Sequence, residues 1–138
     1  MTTTIRCPYC EPATDTPGGW IYRDDHWLVA PGLPDTTMAG ALKITSVRHY
    51  TDFAEMTPEE ATTFGPLVSR LDEALRATTD PERVHLVSTR DRVPHFHAWL
   101  YPRPASHPLR GTEFLAAPQQ STLADTERVA DAIRAHFS

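Results

Sequence analysis

Pro94 and Pro102 set the tightest limit on how this chain folds, because proline cannot donate to a strand ladder and is tolerated mainly at strand ends and edges. Between them the sequence reads His-Phe-His-Ala-Trp-Leu-Tyr, which predicts a strand from His95 to Tyr101. Alternate side chains of a strand share a face. His95, His97 and Trp99 therefore fall on one face, and Phe96, Ala98 and Leu100 on the other. The second face suits a core. The first sets two imidazoles beside an indole. Alternation of this kind also arises in histidines that are merely exposed or satisfied, so its meaning depends on the surrounding residues.

Short strands are also expected at Trp20–Arg23 and His26–Ala30, joined at Asp24-Asp25, and at Ala41–Val47 and Arg83–Ser88. Thr57-Pro58-Glu59-Glu60 is a helix start: Thr57 caps, Pro58 suits the first turn, and Glu60 completes a capping box. Ala61, Phe64, Val68, Leu71 and Leu75 then recur at helical spacing, with a kink or break expected at Gly65-Pro66. Thr122–Phe137 reads as a final helix with Val129, Ile133 and Phe137 on one side. Runs of strands, one long helix and a terminal helix predict an α+β fold on an antiparallel sheet, with residues 1–138 forming one domain.

The net charge of −5 argues against a binder of nucleic acid polymers, whose domains usually carry a basic face, but leaves room for a small phosphorylated ligand held by local donors. No apolar run approaches the ~20 residues a membrane helix needs. The start, Met1 to Arg6, has no apolar leader, so the expected location is cytoplasmic.

Cys7-Pro8-Tyr9-Cys10 allows three readings. A thiol redox motif needs a buried strand before it and a helix beginning at it; six residues precede Cys7, and Pro12, Pro17 and Gly18-Gly19 follow. A pair of free thiols is the second. The third is half of a zinc site, since tetrahedral zinc takes two thiolates from one turn and its other ligands from elsewhere. His49 and His95, each at the border of an expected strand, are the candidates for those.

Val93-Pro94-His95-Phe96-His97, with Leu100-Tyr101-Pro102-Arg103 behind it, resembles the histidine-triad signature, in which alternating histidines are followed by apolar residues and Pro-Arg. Gly40 to His49 resembles the family's glycine-strand-Arg-His segment, His26 to Val29 its second strand, and Cys7 and Cys10 match its zinc-binding subset. The resemblance spans Cys7 to Arg103 in the expected order. It implies a histidine-triad-like fold with about five antiparallel strands, a homodimer, and attack on the phosphorus of a nucleotide by the middle histidine, here His97. It also implies structural Zn2+ on Cys7, Cys10, His49 and His95.

Three positions depart from the family pattern. Trp99 replaces the third histidine, Ala41 follows Gly40 where histidine is common, and Asp91 stands where a phosphate-contacting glutamine is common. An indole donates one hydrogen bond but transfers no proton. The implied activity is hydrolysis or transfer of a nucleoside phosphoester, anhydride or phosphoramidate through a covalent nucleotidyl-His97. The alternative is a noncatalytic or repurposed nucleotide binder; the departures favour it, and the retained His97 favours the enzyme. Trp99, Asp91 and Trp27 are the expected substrate contacts, with Trp20 and Trp27 as one wall for the base and core burial expected instead for at least one of these two. Arg103 is either a phosphate donor or an ion-pair partner. Arg90 and Arg92 are loop charges that could offset Asp91.

Overall fold

The structure, a computed structural model, describes residues 7–11 and 16–137. The leader-free start expected at Met1 to Arg6, and Pro12 of the following loop, lie outside them. Five strands form one antiparallel sheet in the order β1-β2-β3-β5-β4: β1 (Tyr22–Arg23), β2 (Trp27–Pro31), β3 (Leu42–Ser46), β4 (Arg83–Val87) and β5 (His97–Arg103). The helices are α1 (Pro58–Thr79), α2 (Gly111–Ala116) and α3 (Leu123–Ala135).

Asp24 makes the β1–β2 turn. Its Oδ1 accepts the N–H groups of His26 and Trp27 at 2.8 and 2.7 Å, as a short carboxylate does when it replaces a backbone acceptor. Strand alternation then sorts the residues. Trp27, Val29, Leu42, Ile44 and Leu100 belong to the core, which α1 and α3 complete with Leu71, Leu75 and Ile133. Phe96 is its aromatic hub, stacked on Tyr50 with centroids 5.5 Å apart and edge-on to Phe64 at 5.4 Å. The alternate positions, Leu28, Ala30, Lys43, Thr45, His97 and Trp99, share the opposite face; Thr45 pairs with Leu28 and His97, and Lys43 with Ala30 and Trp99.

Two expectations are corrected. The strand expected at His95 begins at His97 and runs on through Pro102 to Arg103. His95 stays outside because its N–H goes to Val93 O and the Phe96 N–H to Tyr50 O. The break expected at Gly65-Pro66 is absent, and α1 is one 22-residue helix. Gly65 and Pro66 face solvent, where water can serve the carbonyl that the proline ring leaves without a donor. The buried stripe is Leu67, Leu71, Ala74 and Leu75, with Phe64 and Val68 half-buried, whereas Ala61 is exposed.

The capping box forms as expected: Thr57 Oγ1 accepts the Glu60 N–H at 3.2 Å, and Glu60 Oε1 accepts the Thr57 N–H at 2.8 Å. Glu60 has a second partner, Arg48, whose Nη2 and Nε donate at 2.7 and 3.2 Å. Burial alone would raise the Glu60 carboxyl, but the guanidinium and the Thr57 N–H hold it below its ordinary value. This pair ties the segment after β3 to the start of α1. Glu60→Ala is expected to cost about 2–3 kcal/mol in denaturant melts, below the full cost of breaking a buried pair because Arg48 is half-exposed. A change within ~0.5 kcal/mol would show that the pair stabilises nothing.

Candidate functional site

Two groups of side chains meet at the β3–β5 end of the sheet. The first is built from three separate segments. Cys7 and Cys10 sit in one turn, closed by the Cys10 N–H to Cys7 O at 3.2 Å, and both are free thiols. His49 follows β3, anchored by its neighbour Arg48, and His95 precedes β5 in full burial. The ligand atoms of these four residues all lie within 4.8 Å of one another. His95 Nδ1 is 3.3 Å from Cys7 Sγ, 3.5 Å from Cys10 Sγ and 3.2 Å from His49 Nδ1, and Cys10 Sγ is 3.1 Å from His49 Nδ1.

These spacings fit a metal. Tetrahedral zinc with ordinary bond lengths separates two nitrogens by about 3.3 Å and a nitrogen and a sulfur by about 3.6 Å. The tautomer of His95 fits as well. Its Nε2 lies 2.7 Å from Ser46 O, which can only accept, so the proton is on Nε2 and the Nδ1 lone pair faces the cluster. Burial lowers the pKa of His95 and keeps the ring neutral, as a ligand must be. The redox reading of the cysteines needs a helix beginning at the motif; Cys7–Glu11 is a turn.

The second group centres on His97. Its Nδ1 lies 2.7 Å from the His95 carbonyl and therefore carries the proton. Nε2 keeps its lone pair and takes no hydrogen bond among the described residues. Burial depresses the pKa of His97; the bond to the His95 carbonyl opposes this, and the positive charges of Lys43 and Arg90 add to the depression. The ring is thus a neutral imidazole in a fixed tautomer, the form that can act as a nucleophile. His95 serves both groups: its side chain joins the cysteines, and its carbonyl orients His97. Tyr9, from the turn between the two cysteines, stands edge-on to His97 with centroids 4.9 Å apart and leaves that residue 9% exposed.

The open face of the sheet forms a concavity of about 410 Å3 that is lined by Thr45, the strand partner of His97, and by Tyr9, its ring neighbour, but not by His97 itself. Tyr9, Trp20, Leu28, Lys43, Thr45 and Trp99 are among its lining residues. Trp99 is thus one of the residues that line the concavity. Trp27 does not line it: Trp27 is fully buried on the core face, and its indole N–H donates to Thr63 Oγ1 at 2.8 Å. Trp20 lines the concavity, whereas strand parity sends Trp27 to the core face. Asp91 is exposed in the loop before β5 and is no part of the concavity. Arg103 is held by Glu82 at 2.5 Å, which makes it an ion-pair partner at the far end of β5. Arg90 donates to Ser88 Oγ at 2.6 Å, and Ser88 Oγ in turn donates to the His97 carbonyl at 2.6 Å.

Sequence reasoning missed Tyr9 and Lys43. The signal for Lys43 was present: Leu42 and Ile44 are apolar, so Lys43 and Thr45 share the other face. What could not be read was the register that sets Lys43 opposite Trp99.

A sheet of this topology carrying this histidine strand defines the histidine-triad fold, and the chain has it. Solved structures bear this out. The chain is similar to a histidine triad protein from Bradyrhizobium japonicum, at 15% identity and TM-score 0.71 over 86% of this chain and 90% of that one. It is similar to a Zn-bound histidine triad family protein from Mycobacterium smegmatis, at 17% identity and TM-score 0.66 over 86% and 82%. It is also similar to the Plasmodium falciparum diadenosine triphosphate hydrolase, at 10% identity and TM-score 0.64 over 86% and 75%. No family sequence model and no curated protein sequence matches the chain.

Proposed function

We propose that this protein is a nucleotide-processing enzyme in which His97 Nε2 attacks the phosphorus of a nucleoside phosphoester, anhydride or phosphoramidate. The observation that carries the reading is the fixed tautomer of His97, with Nδ1–H on the His95 carbonyl and Nε2 without a hydrogen bond among the described residues, while its neighbours Tyr9 and Thr45 line the concavity. In the first step an N–P bond forms and the bond from phosphorus to the leaving group breaks, its electron pair departing with the leaving atom. The Nδ1–H bond to a carbonyl stabilises the positive charge that develops on the ring. Water or another acceptor then displaces the imidazole, releasing the nucleoside monophosphate or passing it on.

The same reading places one structural zinc ion on Cys7, Cys10, His49 and His95. Four protein ligands close a zinc ion, so its part is to fix the N-terminal turn beside β5. The substrate is a small phosphorylated nucleoside. A homodimer is proposed from the likeness in fold; light scattering at micromolar concentration should give about twice 15.4 kDa, and a mass near 15.4 kDa would refute it.

A second reading, a noncatalytic nucleotide binder, rests on two observations: Tyr9 covers His97, and Trp99 has no proton to transfer. Product analysis after incubation with nucleoside polyphosphates, phosphoramidates and aryl phosphoesters separates the two. Release of a nucleoside monophosphate supports the enzyme, and tight binding without release supports the binder.

A further inference from the structure

The concavity holds a cation that the reaction just described does not use. Lys43 rises from the middle of β3, between the β2 and β5 neighbours Ala30 and Trp99. Its Nζ lies 4.3 Å from the centre of the Tyr9 ring and 5.7 Å from that of Trp99. Among the described residues it has no carboxylate partner and no hydrogen-bond acceptor. The two rings attract the ammonium through their faces, but they satisfy none of its three N–H donors. Lys43 lines the concavity and is only partly buried, so a ligand can reach it.

A half-buried lysine without a counter-ion in a ligand-sized cavity is costly unless something negative joins it there. Simple structural use of Lys43 would place a carboxylate beside it. The chain does this elsewhere, pairing Arg48 with Glu60, Arg103 with Glu82 and Arg90 with Asp52. Lys43 is treated differently. His97 and the Lys43 ammonium also flank the same phenol, that of Tyr9, which sets a nitrogen able to attack phosphorus and a cation on one stretch of the open face.

We propose that the pocket selects ligands with two anionic groups, one phosphate facing His97 and a second acidic group seated on Lys43 between Tyr9 and Trp99. This rests on the nucleotide reading above and narrows its substrate class to nucleosides carrying a further phosphate or carboxylate away from the reacting phosphorus. It also gives Trp99 a task without a proton: one wall of the seat for the second anion.

The test is calorimetric titration of the intact protein with adenosine 5′-monophosphate, adenosine 3′,5′-bisphosphate and fructose 1,6-bisphosphate. The nucleoside bisphosphate should bind about tenfold or more tightly than the monophosphate, since a charge-assisted contact within a partly desolvated site is worth at least that. Lys43→Met should remove the difference between the two nucleotides, and Lys43→Arg should keep most of it. Thermal melts of both variants guard against a folding defect. Equal binding of mono- and bisphosphate by the native protein, or a preference that survives Lys43→Met, overturns the proposal. Lysine-dependent binding of fructose 1,6-bisphosphate alone, with neither nucleotide bound, supports the two-anion pocket and overturns the nucleotide reading. No binding of any of the three overturns both.

Discussion

Removing zinc should lower the melting temperature by more than about 10 °C. The cysteine–histidine contacts and the Tyr9 ring contacts tie the Cys7–Glu11 turn to the start of β5 and to β3, so the cluster helps to hold it there. Without metal, two thiols and two imidazoles converge within 4.8 Å and have only weak hydrogen bonds to offer one another. Structural zinc sites contribute directly to folding free energy, about 10–16 kcal/mol in small zinc peptides. The sheet has its own core, so only part of such a term is expected here. A loss of about 3 kcal/mol would shift the midpoint by roughly 10 °C at this chain length. About one equivalent of zinc should copurify, and Cys10→Ser should lose it together with the stability. Scanning calorimetry before and after chelation checks this. An unchanged midpoint, or a native Cys7–Cys10 disulfide, would remove the metal from the account.

His97 should separate chemistry from folding. His97→Ala is expected to lower turnover by about 10⁴-fold or more, the scale on which enzymes lose rate when a nucleophile is deleted. His97→Gln should be equally inactive and close to native in stability, within about 1 kcal/mol, because a side-chain amide can still donate to the His95 carbonyl. The two measurements must diverge. If His97→Gln melts far below the native protein, His97 is part of the scaffold and its assignment as nucleophile is unsafe. If it keeps its turnover, the assignment is wrong.

Most of the fold was legible because it rests on local signals. The capping box at Thr57 and Glu60 states its partners within four residues, and the alternation around Phe96, Ala98 and Leu100 names a core face without any tertiary information. The errors came where a local rule met a tertiary setting. Pro66 costs a helix less when its ring faces water, and only the packing of Leu67 and Leu71 on the sheet shows that it does. Trp27 and Trp20 look alike in sequence; which one reaches the ligand face depends on a strand start at Trp27. The candidate metal set was readable from Cys-x-x-Cys and two border histidines, and the structure brings those four together. Lys43 and Tyr9 were not, because their meaning lies in the β3–β5 register and in where the cysteine turn lands.

The central claim is that His97 Nε2 forms a bond to phosphorus. The most direct measurement is intact mass of the protein, acid-free quenched during reaction with an activated aryl nucleotide ester, followed by peptide mapping. The expected result is a mass increase of one nucleotidyl group, a nucleoside monophosphate less one water, labile to acid and located on His97, and none in His97→Gln. Product release without any adduct, or an adduct on another residue, would contradict it.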